Sequence, residues 1–186
     1  MPKVIDEDKL FLDVIHTLVR LGINKATTKQ LAEAAGVNEV TLFRKYGNKA
    51  SLIRSAFQSI LVSSPMNDLS YSGDLEADLV EIVAAYKETS LLYGEVIPLL
   101  ISEIPRDPEL KELLEPFFSV VRSIMEIIQR YQGDGLLIDE PGFSAVSALL
   151  GPIIVGKMLQ RTNPYLPVSE VEPEMYVAAF LEGRKK

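Results

Sequence analysis

The chain has 186 residues, 47% of them apolar and 24% charged, enough to bury one large domain or a small domain beside a larger one. It contains no cysteine, which excludes a disulfide framework, a thiolate nucleophile and a cysteine-based metal site, and fits a reducing, cytoplasmic setting. The net charge of −7 argues against nucleic-acid binding by the chain as one body, yet residues 1–63 hold nine Lys or Arg against six Asp or Glu and residues 64–186 hold ten against twenty; contact with phosphate is therefore expected only in the first third.

Apolar residues recur at helical spacing, first at Leu10, Val14, Ile15, Leu18 and Val19, later at Leu79, Ile82, Val83 and Tyr86, and no run alternates as a strand would. The fold class is all-α. The N-terminus carries three acids before its apolar stretch and does not read as a signal peptide. Breaks fall at Gly22, Gly36, Gly47, 63–74, 104–108, 132–135 and 163–167. The longest, near Ser64, coincides with the change in charge balance. It divides an N-terminal module of about four short helices, residues 1–62, from a larger helical domain of about five, residues 66–186. The segment LLGPIIVGKML is interrupted by Lys157, so no membrane span is expected.

Residues 27 to 46 read TTKQLAEAAGVNEVTLFRKY. Thr27 and Gln30 form a capping box, in which the hydroxyl accepts from the third helical amide and the Gln side chain reaches back. Leu31, Ala32 and Ala35 share one face, and the small Ala32 lets a second helix cross closely. Gly36 permits a left-handed turn, and Asn38 caps the next helix. Two short helices joined this way have the geometry of a helix-turn-helix, whose second helix enters a major groove with its N-terminal residues facing base edges. An ordinary helix pair in an all-α protein has the same local pattern.

The context separates the two. From about residue 6 to about residue 62 the chain resembles the DNA-binding domain of the TetR-like (tetracycline-repressor-like) regulators, in the Thr-initiated second helix with Leu31-Ala32, the turn AAGV, the segment VNEVTLFRKYGNK and the helix from Lys49. The resemblance implies a three-helix helix-turn-helix domain ahead of a larger helical dimerisation and ligand-binding domain. It implies that Thr28 touches phosphate, that Asn38, Glu39 and Thr41 face bases or backbone, and that Phe43, Lys45 and Lys49 flank them. Phe43 stands where the family usually has a tyrosine and cannot donate to phosphate, though it can pack against sugars or a thymine methyl. Glu39 is either an acceptor for a cytosine amine or a solvated first-turn acid favoured by the helix dipole.

In the second domain Tyr86, Tyr93, Phe117, Phe118, Met125 and Tyr131 either line a ligand cavity or form core. Pro98 and Pro116 fall inside helical patterns, where proline kinks a helix and holds neighbours apart. Residues 141–160 are rich in small side chains and, with 172–183, look like the family's last two helices, which pair two subunits. Ala145, Ala148, Leu149, Gly156, Tyr176 and Phe180 are the expected dimer residues, an internal core helix being the alternative. The single histidine, His16, and the acids of EIPRDPELKELLEP assemble no catalytic or metal site. No glycine-rich phosphate loop is present, no cofactor is implied, and an enzyme is not expected. The expected partners are a double-stranded DNA operator, a second copy of the chain and a small apolar ligand. The competing reading is an all-α ligand-binding or protein-interaction module whose helix-turn-helix is only structural.

Overall fold

A computed structural model of the chain describes residues 6–94, 96–105, 108–168 and 170–184. Among them nine α-helices follow one another: α1 (Glu7–Leu21), α2 (Thr28–Ala34), α3 (Glu39–Tyr46), α4 (Lys49–Val62), α5 (Leu75–Tyr93), α6 (Val96–Glu103), α7 (Glu115–Gly133), α8 (Gly142–Thr162) and α9 (Pro173–Glu182). Two 3₁₀ segments, Pro65–Asn67 and Pro108–Leu114, lie between them. The all-α class expected from periodicity is what is observed.

The described residues form two compact units, one from within 1–64 and 92–116, the other from within 65–91 and 117–186. The first is built on α1, whose buried stripe of Leu10, Phe11, Val14, Ile15 and Leu18 faces α2 and α4. The linear division near Ser64 left 92–116 with the second domain. In the structure α6 packs on α1, and the 3₁₀ turn at 108–114 packs on α4 and α6, burying Leu100, Leu110, Leu113 and Leu114. Burial of leucines, worth roughly 2 kcal/mol each, decides the packing here over proximity in sequence. Of the acids in that stretch, Glu112 meets Arg54 at 3.4 Å, Glu103 accepts from Asn24 at 2.6 Å, and Asp107 lies outside the described residues. His16 is exposed and its Nε2 donates to the Leu92 carbonyl at 2.8 Å.

Pro98 and Pro116 do not kink helices. They occupy the first turns of α6 and α7, where backbone amides lack intrahelical acceptors and proline removes nothing. The proline within a helix is Pro152, in the middle of α8. That helix is also, by length and composition, the one described helix able to cross a membrane. Lys157, where the sequence expectation ended the apolar run, lies inside this 21-residue helix. Part of its apolar content is accounted for by the core, where Ala145, Val146, Leu149, Leu150 and Ile153 are buried.

The second unit is cored by α5, α7, α8 and α9 through Leu79, Ile82, Val83, Ile124, Ile128, Leu149 and Val177. One polar network lies inside it. The buried Asp78 carboxylate accepts from the Tyr131 hydroxyl at 2.5 Å, from the Ser72 hydroxyl at 2.5 Å and from the Ser72 amide at 2.9 Å. It joins α5 to the end of α7 and pins the loop before α5. Tyr71 repeats the link, donating to Asp134 at 2.7 Å. Burial and the neighbouring carboxylate both hold the Tyr131 phenol in its protonated, donating form. Tyr131→Phe removes that donor and leaves a buried carboxylate short of one partner, so unfolding free energy by urea titration is expected to fall by about 1 to 3 kcal/mol. An unchanged midpoint and slope would show that the network adds nothing to stability.

Candidate nucleic-acid interface

Seven residues make α2 and eight make α3, both too short to persist alone in water. Their ends are closed by side chains and one turn. Thr27 accepts from the Gln30 amide at 3.3 Å while the Gln30 side chain accepts from the Thr27 amide at 2.9 Å, the reciprocal capping box. At the other end Gly36 has φ +64°, a left-handed conformation that lets its amide reach the Glu33 carbonyl at 3.1 Å and the Val37 amide reach the Ala32 carbonyl at 3.0 Å. This paired closure is a Schellman motif. Asn38 then accepts from the Val40 amide at 2.8 Å and starts α3.

One residue fixes how α3 sits. Leu42 is 3% exposed and is its only buried side chain, so at 100° per residue Val40 and Arg44 turn away from the core, with Thr41 and Phe43 at the two edges. Val40 is 75% exposed and Phe43 39%, Arg44 is exposed and Thr41 half-buried. Val40 and Arg44 were absent from the sequence-derived set. Taking Leu42 as the inward position would have found them.

The polar members of that set are mostly engaged within the protein. Thr28, the first residue of α2, donates to Glu39 Oε1 at 2.6 Å, and both are half-buried. Glu39 thus takes a third course besides the two expected for it, as a strut between α2 and α3. Lys45 Nζ lies 2.7 Å from Glu7 Oε1, which also accepts from the Tyr46 hydroxyl at 3.0 Å. The hydrogen bond from Lys45, then that from Tyr46, hold the Glu7 carboxyl below the usual carboxylate range, while burial and Glu7 push the Tyr46 phenol up. Lys49 donates to the Ile23 carbonyl at 2.6 Å, and burial lowers its pKa. Arg44 and Lys25 are exposed on the same unit, and Lys29 reaches Glu33 only at 4.0 Å with most of its side chain in solvent.

The other sequence-derived residues divide differently. Tyr93 belongs to the first unit, whereas Tyr86, Phe117, Phe118 and Met125 belong to the second. Tyr86 and Met125 pack against its core, and Phe117 touches Phe118 with ring centroids 5.6 Å apart. An open depression of about 770 Å³ in that unit is lined instead by Gln129, Gln132, Gly133, Asp139, Glu140, Pro141 and Gly142. Ala145, Leu149 and Phe180 are buried in their own unit. Ala148 and Gly156 are half-buried, with Gly156 so close to Val168 that a Cβ would stand 3.3 Å from its Cγ1. Tyr176 donates to the Leu149 carbonyl at 2.6 Å. The outward side of α8 carries Phe143, Val155, Met158 and Leu159, and Met175 is exposed on α9.

A capped short helix, a glycine turn and a second capped helix with one inward leucine and an open outer face define a helix-turn-helix protein. Residues 17–56 match the model of the bacterial regulatory proteins of the tetR family. The uncharacterized helix-turn-helix-type transcriptional regulator YvkB of Bacillus subtilis (strain 168) is 34% identical over 76 residues, a stretch covering 40% of either chain. Among solved structures, a TetR-family regulator of Mesorhizobium loti aligns over 100% of both chains with a TM-score of 0.66 and 17% identity. The fatty acid degradation regulator FadR of Bacillus halodurans aligns over 98% of this chain and 95% of its own, with a TM-score of 0.69 and 15% identity. Residues 17–56 therefore carry the helix-turn-helix module of the tetR family, and the described residues share the all-helical fold of these solved structures.

The Thr28–Glu39 strut makes a prediction that a solvated or base-reading acid does not. Glu39→Ala is expected to lower stability by about 1 kcal/mol in a thermal or urea melt of the free protein, and Thr28→Ala in the same background should add little further. Full additivity of the two substitutions would mean that the side chains act independently.

Proposed function

We propose that the protein is a sequence-specific DNA-binding transcriptional regulator, a repressor that binds its operator as a homodimer in the cytoplasm and is released by a small apolar ligand held in the helical domain after residue 66. The observation that carries the reading is the outer face of α3. A two-turn helix whose one buried side chain is Leu42 presents Val40, Phe43 and Arg44 to solvent, with its N-terminus capped for end-on entry into a major groove. The positive balance of residues 1–63 supports the same assignment, and so does the likeness of this region to a helix-turn-helix regulator.

In this reading Thr41 and Asn38 lie nearest the groove, Thr28 and Lys45 border the phosphates, and Lys49, tied to the Ile23 carbonyl, holds α4 against the loop after α1 more than it neutralises DNA. Lys45 exchanges its half-exposed partner Glu7 for phosphate at small cost, since exposed ion pairs are worth at most about 1 kcal/mol. Dimerisation is supported by the outward apolar side chains of α8, Phe143, Val155, Met158 and Leu159, which would be covered by the same face of a second copy. Ala148, Gly156 and Tyr176 border that face, while Ala145, Leu149 and Phe180 support it from within. For the ligand, Tyr86, Phe117, Phe118 and Met125 supply the apolar lining. Release follows if the ligand prefers a dimer whose two α3 helices no longer match successive major grooves, by as much free energy as that preference provides.

Titration of the full chain against promoter-derived and random duplexes at two salt concentrations tests the proposal. Saturation at two chains per preferred duplex is expected, with affinity falling steeply as salt rises. Arg44→Ala should weaken all duplexes alike and reduce the salt slope by about one unit per half-site, whereas Lys49→Ala should change the slope less. Salt-independent affinity, or none for any duplex, would favour an interaction module whose helix-turn-helix is only structural.

A further inference from the structure

Hydrogen-bonding side chains at the start of α3 are largely committed to the fold. Asn38 accepts from the Val40 amide at 2.8 Å, and Glu39 accepts the Thr28 hydroxyl at 2.6 Å. Beside the Arg44 guanidinium, what the outer face offers is apolar. Val40, in the first turn, is 75% exposed, and Phe43, three residues later on the same side, is 39% exposed. Folding does not account for this valine. It buries little surface, and a β-branched residue at an exposed helix position is less favourable than alanine.

We infer that Val40, flanked by the Phe43 ring, is a specificity-determining residue that packs on the C5-methyl group of a thymine in each half-site. The inference rests on the DNA-binding reading above and names the base chemistry it would select. On the major-groove edges of the base pairs the thymine methyl is the one apolar group that projects into the groove, the rest being hydrogen-bond donors, acceptors and the small C5 hydrogen of cytosine. Valine has no donor or acceptor with which to read anything else. Removing the methyl and the two side chains from water together is favourable, whereas placing Val40 against a cytosine amine would desolvate a donor without replacing its partner. Charge suits the same occupant, since Arg44 is exposed one turn beyond Val40 on α3 and Lys25 and Lys29 are exposed elsewhere on this unit, where they would add attraction to phosphates.

The test uses the full chain and a duplex enriched by it from a random library, resynthesised with deoxyuridine in place of each thymidine in turn, which removes only the methyl. At one thymine per half-site the exchange is expected to weaken binding about fourfold per methyl. Val40→Ala should weaken the thymine duplex by a similar factor, bind the matching uracil duplex no worse than the parent protein does, and melt at or slightly above the parent temperature. That loss of additivity between protein and DNA changes is the signature of direct contact. An enriched duplex indifferent to every thymine-to-uracil exchange overturns this inference and leaves the DNA-binding reading standing. Effects of Val40→Ala and uracil that simply multiply overturn it in the same way. A library that yields no enriched duplex overturns both.

Discussion

At Gly36 the backbone turns left-handed, with φ +64°, and the usefulness of α2 and α3 depends on that conformation. A side chain there would cost about 1 to 2 kcal/mol in strain. The glycine closes α2 through two backbone hydrogen bonds and leaves only Val37 before Asn38 opens α3. Neither helix is long enough to be stable alone, so their mutual placement follows from this turn, from the burial of Leu31, Ala32 and Leu42, and from the Thr28–Glu39 hydrogen bond. The outer face of α3 is a consequence of those few constraints.

The features that sequence reasoning found are local. The Thr27–Gln30 box, the glycine turn and the Asn38 cap each involve residues within about five positions of one another, so residue type and spacing suffice to read them. Features it missed join distant positions. Glu39 is 11 residues from Thr28, Lys49 is 26 from Ile23, and Tyr46 is 39 from Glu7. Glu39 and Lys49 looked available for DNA because their partners lie outside their own helices. Tyr131 likewise reads as a ligand-pocket aromatic until α5 brings Asp78 to its hydroxyl, 53 residues away in sequence.

A second kind of miss came from helices without a clear polar side. On α8 the small and apolar residues run all the way round, so the pattern signals close packing but gives no direction. Ala145 and Leu149 prove to face their own core, while Phe143, Val155 and Met158 face out. On α3 attention to hydrogen-bonding residues passed over Val40, although one inward leucine determines which positions are outward. The prolines show the opposite case. Pro98 and Pro116 looked disruptive in a bare pattern and are benign in the first turn of a helix.

Charge and shape divide the work between parts of the chain. The first 63 residues hold the excess of cations and the rest a larger excess of acids, so in the proposed reading attraction to phosphate comes from the first 63 residues. Two of those cations, Lys45 and Lys49, are tied to Glu7 and to the Ile23 carbonyl, so fewer groups are free to attract phosphate than the sequence suggests. The absence of cysteine allows the central claim, that the outer face of α3 enters the major groove, to be measured directly. Val40→Cys introduces a single thiol that can carry an iron–EDTA cleavage reagent. Mixed at saturating concentration with the preferred duplex, it should cut at two positions about 34 Å apart, or a multiple of that spacing, each centred in a major groove, while the same reagent on Met175→Cys leaves no localised cuts. Uniform cleavage from position 40, or localised cuts as strong from position 175, would contradict the account.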